Sequence, residues 1–413
     1  MIRKAARRTM DGIFAVNKPS GVSSNKMILE LQNIFSNSKV FQEDLKEAKQ
    51  KLRSDLSRDK KWTPNRIDKK VNQLKVKIGH GGTLDPLASG VLVIGVGKGT
   101  KKLQYYLSGC NKSYETKALL GISTTTGDSE GEIITKNQIS HITKAMIKET
   151  GEKFVGALTQ TPPIFSALKM NGKPLYDYAR EGLPLPKPIK PREVTVASIE
   201  VHEQDSLLID HIFKTLESQL DEDGKPKEHA LANNPTLNDS PLYFSKEYLE
   251  KAERESLPKC VGKPRPLSDS ETLPEVLPMF HMTADVSSGT YIRSLVSDFG
   301  RALESSAYMV ELIRTKQSEW VLGKNVFDMK DFTERDEKVW GGVLKKVLDY
   351  GADLNLSEVF SEVSENPKLQ FEPAADDKEI KENSILPEKE EEDVSVPLEE
   401  LLTRKRNIEE VEK

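Results

Sequence analysis

The chain has 413 residues, 36% hydrophobic and 31% charged, enough for one large domain with insertions or two to three average ones, and too polar to be core throughout. Only Cys110 and Cys260 are present, with no second cysteine or histidine at ligand spacing. Neither a disulfide framework nor a structural zinc site is thereby indicated, and no apolar run reaches about 18 residues, which excludes a membrane-spanning helix. The net charge of −4 argues against a polyanionic partner only until it is resolved along the chain: residues 203–275 carry −7 and residues 354–413 carry −10, which leaves +13 on the rest and suits a nucleic-acid surface, an unpartnered basic surface being the plainer alternative.

The first ten residues hold four basic and no acidic side chains, compatible with a short mitochondrial presequence or with an ordinary basic arm. The stretch GIFAVNKPSG, Gly12 to Gly21, predicts a short strand that ends in a turn. Ser23 and Ser24 then cap a helix carrying Met27, Leu29, Leu31 and Ile34 to about Phe35. From 36 to 77 a basic insertion is expected. Between Lys39 and Lys77 it holds 13 basic and 6 acidic residues, with few breakers from Phe41 to Leu56, so it reads either as a solvated helix or as an RNA contact.

A glycine-rich loop follows, then the apolar run Val91 to Val96. Tyr114 to Gly121 predicts a strand and Ile142 to Phe154 an amphipathic helix. Residues 203–275, rich in Asn, Asp, Pro and charge, read as an inserted acidic excursion. Beyond it, Phe280 to Val286 predicts a strand, Tyr291 to Leu303 a helix and Tyr308 to Ile313 another ordered apolar stretch. Residues 334–353 read as a short ordered extension and 354–413 as a disordered acidic tail in which Arg404-Lys405-Arg406 resembles an import signal.

The segment GHGGTLDPLASG, Gly79 to Gly90, sets one carboxylate in a loop with four glycines. Glycine allows close backbone approach, so such a loop can lie against a bulky polymer. Pro86 keeps Asp85 out of the helical region and so aims its carboxylate, and an aimed carboxylate can serve as a nucleophile. The nearby GVGKGTKK, Gly95 to Lys102, fails the spacing of a phosphate-binding loop. Lys98, Lys101 and Lys102 read instead as simple cations toward RNA phosphates or water.

Gly79 to Gly90 is similar, nearly residue for residue, to the active-site motif of TruB-type tRNA pseudouridine-55 synthases. Four further segments resemble that family in the same order: NKPSG from Asn17, SYETKALLG from Ser113, IFSALKMNGKPLYDYAREG from Ile164 and VSSGTYIRSLVSDFG from Val286, with Tyr308 to Arg314 after them. The long insertions resemble those of fungal members. The resemblance implies an α+β catalytic domain on a mixed, largely antiparallel sheet, assembled from 11–202 and 276–333. It implies that Asp85 is the essential aspartate, that Tyr114 stacks on the target base and serves as general base, and that Arg293 pairs with Asp85 and keeps it ionised. Lys18, His80, Tyr291 and Leu312 are its implied substrate-side residues, Lys18 in support, His80 filling space left in the RNA stack and Leu312 packing against the flipped base.

The implied reaction turns the T-loop uridine of tRNA into its C-glycoside isomer. It consumes no donor, so no cofactor, metal or membrane partner is expected. The expected partner is the T arm of tRNA, with messenger RNA weighed as a second substrate, for a monomer in nucleus and mitochondrion. Two alternatives remain at this point: an RNA-binding module that would not need Asp85, and a guide-dependent synthase of the dyskerin type, which would want a C-terminal RNA-binding domain that the acidic tail does not suggest.

Overall fold

The computed structural model describes residues 9–218, 231, 234–268 and 270–372. The basic N-terminal residues, the Arg404-Lys405-Arg406 cluster and the acidic tail from 373 onward lie outside these.

In chain order the elements are β1 (Gly12–Lys18), α1 (Ser24–Asn37), α2 (Lys39–Ser57), α3 (Pro64–Asn72), β2 (Ile78–His80), β3 (Ser89–Val96), α4 (Leu103–Ser108), β4 (Lys112–Leu120), β5 (Ile122–Thr124), β6 (Ile133–Lys136) and α5 (Lys144–Glu152). They continue with β7 (Gly156–Gln160), β8 (Lys169–Met170), β9 (Lys173–Pro174), α6 (Leu175–Arg180), β10 (Arg192–Val201), α7 (Lys246–Glu255), β11 (Met279–Val286), α8 (Ile292–Ala302), β12 (Ala307–Gln317), β13 (Trp320–Val321), α9 (Met329–Thr333), α10 (Glu337–Tyr350) and α11 (Leu356–Glu365). A nine-stranded sheet runs β1-β3-β12-β4-β11-β10-β7, with β2 on β3 and β13 on β12. All its pairings are antiparallel except β3 with β12. This is the expected mixed, largely antiparallel α+β sheet.

Two cores cover it. One gathers Phe14, Phe35, Phe41, Phe327, Phe332 and Trp340 between β1, β3 and helices α1 and α10. The other buries Phe154, Phe280, Phe299 and Leu295 around α8, every residue of which is buried. Phe41 stacks on Phe35 at 4.7 Å, and Val40 is buried beside it, so the basic insertion is anchored at its root while the rest of α2 is largely solvated.

Three expectations change. Residues from 354 do not begin a disordered tail: α11 buries Leu356, Val359, Phe360 and Val363 on one face, a helical spacing hidden by the acidic average of the segment. The 203–275 excursion is not separate from the catalytic body. Phe244, Tyr248 and Ala252, at i, i+4 and i+8, seat α7 in the α8 core, and the Glu247 carboxylate accepts from the Ala157 amide at 2.7 Å. At least two glycines of the Asp85 loop answer to close approaches within the protein itself. A Cβ on Gly90, whose φ is +100°, would stand 2.3 Å from the Arg314 carbonyl oxygen across the parallel β3–β12 pair, and one on Gly81 would stand 2.5 Å from Tyr106 Cβ.

Candidate active site

Asp85 begins a turn, its carbonyl accepting from the Ala88 amide at 3.1 Å, with Pro86 at the position where a fixed φ favours such a turn. The aiming expected of Pro86 is therefore achieved by a closed turn. The segment Lys18 to Ser24 staples that turn. Ser24 Oγ donates to the Leu84 carbonyl at 2.8 Å and accepts from the Leu84 amide at 2.9 Å. The Gly21 amide and the Lys18 ammonium both donate to the Pro86 carbonyl, at 2.9 and 3.1 Å, and Ser20 Oγ donates to that of Leu87 at 2.6 Å. Of the two serines expected to cap α1, Ser23 is the cap, accepting from the Lys26 amide.

Lys18 is fully buried, and its ammonium is spent on the carbonyls of Pro19, Val22 and Pro86. The expectation that it meets substrate is corrected: three N–H donors on three carbonyls leave none for RNA, and its role is to hold the residue after Asp85. Burial pulls its pKa down to about 8, against the attraction of Asp85.

Arg293, on the first turn of α8, carries the other half of the site. Its Nε donates to Asp85 Oδ2 at 2.8 Å, and its two terminal nitrogens donate to the carbonyls of Thr126 and Phe165 at 2.7 and 2.8 Å. The Asp128 carboxylate lies 3.6 Å from the same Nε. Burial opposes the Arg293 charge, but Asp85 and Asp128 outweigh it and hold the guanidinium above its ordinary range. Oδ1 of Asp85 accepts no hydrogen bond among the described residues, and the side chain is 33% exposed. One oxygen is thus anchored and the other is open.

Leu84 and Ala88, either side of Asp85, pack in one cluster with Tyr114, Leu312 and Ile292. The register of β12 on β4 sets Arg314 opposite Tyr114 and Leu312 opposite Thr116, which puts Tyr114, Leu312 and Arg314 on one face of the sheet. The buried Arg314 donates to the carbonyls of Val91 (2.6 Å) and Gly82 (3.1 Å), and one of its terminal nitrogens lies 3.4 Å from the Tyr114 hydroxyl. His80 is half-buried on β2, and burial and then the Arg314 charge hold its pKa below the ordinary histidine value. Tyr291 caps α8, its amide and carbonyl both held by the Gln160 side chain, and burial pushes its phenol up.

The structure therefore brings Asp85, Arg293, Tyr114, Tyr291 and Leu312 to one region and places Lys18 beneath it. Sequence reading passed over Asp128, Arg314 and the bond of Ser24 to Leu84. The only signal for Arg314 was its place at the end of the Tyr308 to Arg314 match, and a serine or aspartate in a turn gives none. No group of three or more potential metal ligands occurs among the described residues.

The sheet thus presents a half-anchored carboxylate, with Asp128 near the same guanidinium, beside an aromatic and aliphatic wall of Tyr114 and Leu312. Residues 69–217 match the family model described as TruB family pseudouridylate synthase, N-terminal domain. The chain is 50% identical over 381 residues to tRNA pseudouridine synthase 4 of Saccharomyces cerevisiae, covering 90% of this chain and 91% of that one. It is 37% identical over 359 residues to the protein of the same name in Schizosaccharomyces pombe, covering 78% and 82%. With tRNA pseudouridine synthase B of Pseudoalteromonas translucida it shares 29% over 326 residues, covering 79% and 67%. The chain belongs to the TruB family of pseudouridine synthases.

Proposed function

We propose that this synthase isomerises the T-loop uridine of tRNA, position 55, to pseudouridine, and that Asp85 is the residue on which the reaction depends. The observation that carries the reading is the half-anchored carboxylate: Arg293 holds Oδ2 at 2.8 Å while Oδ1 stays free of protein donors among the described residues. A reacting group must be fixed in direction yet unspent, and this geometry meets both needs.

The target base leaves its stack, at a cost of roughly a few kcal/mol, and enters a pocket whose walls are Tyr114 and Leu312. The N1–C1′ bond breaks, the uracil turns while bound, and C5 joins C1′. The proton lost from C5 is matched by one gained at N1, so the product is an isomer. In this reading Tyr114 stacks on the base and takes that proton. The Arg314 guanidinium, held by two carbonyls, keeps the Tyr114 ring in position. Messenger RNA that presents the same loop is the second substrate of this reading. A basic N-terminus and the Arg404-Lys405-Arg406 cluster support delivery to mitochondrion and nucleus, which imaging of the tagged chain with each cluster neutralised tests directly.

The central experiment maps pseudouridine at single-nucleotide resolution in RNA treated with wild-type or Asp85→Asn enzyme. The expected result is loss of product in the T loop with tRNA binding kept. Product formed by Asp85→Asn in a single turnover would sink the assignment.

A further inference from the structure

We infer that the corner where the chain leaving α3 reaches β2 and the turn after β3 is a second RNA contact that grips backbone phosphates. This rests on the proposed tRNA substrate and extends it. Two basic stretches that are separate in sequence are joined here by sheet pairing. Ile78 of β2 registers with Val96 of β3, and the Gly97 amide donates to the Lys77 carbonyl at 2.8 Å. Lys101 and Lys102 are exposed on the tight turn that follows, and Lys69 and Lys70 are exposed on the last turn of α3. Asn72 and Lys77 are five positions apart, at most about 18 Å of chain, which keeps the end of α3 within that reach of the β2–β3 edge.

The plain alternative is a solvated lysine face. Several exposed lysines elsewhere are paired with acids, Lys148 with Glu203, Lys246 with Glu193 at 3.1 Å, Lys251 with Glu152 at 3.3 Å and Lys346 with Glu362 at 2.7 Å. At the corner the nearby carboxylates are already engaged, Asp11 by Lys98 at 3.3 Å and Asp68 by Arg53 at 2.7 Å. Lys69, Lys70, Lys77, Lys101 and Lys102 have no acidic partner among the described residues. Uncompensated positive charge in a chain of net charge −4 is the electrostatic footprint of a polyanion. Tyr105, 52% exposed one turn further on, adds an aromatic face of the kind on which unpaired bases stack.

Position decides which part of the RNA is gripped. The eight residues of β3 set the Lys77 end of this corner about 23 Å from Ser89, while α4 turns back so that Tyr106 packs on Gly81. A phosphate held at the Lys77 end lies outside the nucleotide that enters the pocket. The corner therefore adds affinity and orientation without touching the reacting base.

The test compares binding of a full-length tRNA transcript across about 50 to 200 mM salt for wild type, a Lys69→Ala/Lys70→Ala/Lys101→Ala/Lys102→Ala variant and a Lys246→Ala/Lys251→Ala control. Each phosphate that is no longer neutralised lowers the slope of log K against log salt by about 0.7 to 0.9, so the fourfold variant is expected to lose about 3 units. The control is expected to keep the wild-type slope. Melting curves confirm that all three proteins are folded, since every substituted side chain is exposed. An unchanged slope in the fourfold variant, or an equal fall in the control, overturns the inference. Pseudouridine is scored in the same samples: tRNA bound by wild type but left unmodified would count against the proposed function while leaving the slope comparison intact.

Discussion

The loop from Gly81 to Ser89 and the helical hairpin of α2 and α3 are neighbours in the chain and opposite in construction. In the loop many backbone polar groups are held by distant parts of the chain: the Gly81 amide on Val93, the Gly81 carbonyl on Gln317, that of Gly82 on Arg314, both groups of Leu84 on Ser24, and the Pro86 carbonyl on Lys18 and Gly21. The hairpin is held at its root by Val40 and Phe41, and most of its cations face water. The difference separates two physical tasks. Bond exchange needs a carboxylate held within fractions of an ångström, which only dense hydrogen bonding supplies. Holding a polyanion needs charge, which tolerates loose geometry.

The largest break of that contrast is Arg293→Lys. It keeps a positive charge but cannot serve Asp85, Thr126 and Phe165 together, and so leaves a buried site half-paired. A stability loss of about 3 to 5 kcal/mol is expected in denaturant melts, with product formation near that of Asp85→Asn. A variant with full activity would show that Asp85 needs no fork to hold it. Gly90→Ala comes next: with φ at +100° and the Arg314 carbonyl in the way, β3 and β12 must part, at a cost of more than about 2 kcal/mol by thermal unfolding.

Lys18 sharpens the comparison through pH. Its pKa is about 8 in the fold against an ordinary value of 10.5, so its ammonium gives up a proton, and one of its three carbonyl bonds, as pH rises through about 8. The linkage sign is favourable to folding: between about 8 and 10.5 the unfolded chain binds more protons, and this group's contribution to stability rises with pH. A fall in single-turnover rate above about pH 8 without a fall in melting temperature is therefore expected, and Lys18→Met should flatten that limb. An alkaline limb of unchanged shape in Lys18→Met would assign it to another group. Ser24→Ala removes two bonds to Leu84 and is expected to cost about 1 to 3 kcal/mol with a fall in turnover. At the hairpin tip, Lys60→Ala/Lys61→Ala should change stability by no more than about 0.5 kcal/mol. If the hairpin pair cost as much as Ser24→Ala, the division into a rigid and a compliant region would fail.

Much of this was legible in the residues alone. Periodicity located β1, β4, β11 and α8 to within a few residues, and it marked the apolar runs of β3 and β12 without assigning them as strands. The tail and the 203–275 segment were misjudged because a net charge averaged over many residues conceals one apolar face, as with Val359, Phe360 and Val363 of α11 or Phe244, Tyr248 and Ala252 around α7.

By itself the sequence pointed to where the proposed chemistry is staged: a single aspartate before proline among glycines, followed far downstream by Arg293. Tertiary structure alone decided what holds it. Asp85 and Arg293 are 208 positions apart, Arg314 and Gly82 are 232 apart, and Lys18 and Pro86 are 68 apart. Local patterns report which residues are buried. They do not report which carbonyl a buried cation will find, since that is set by strand register and by how α8 crosses the sheet.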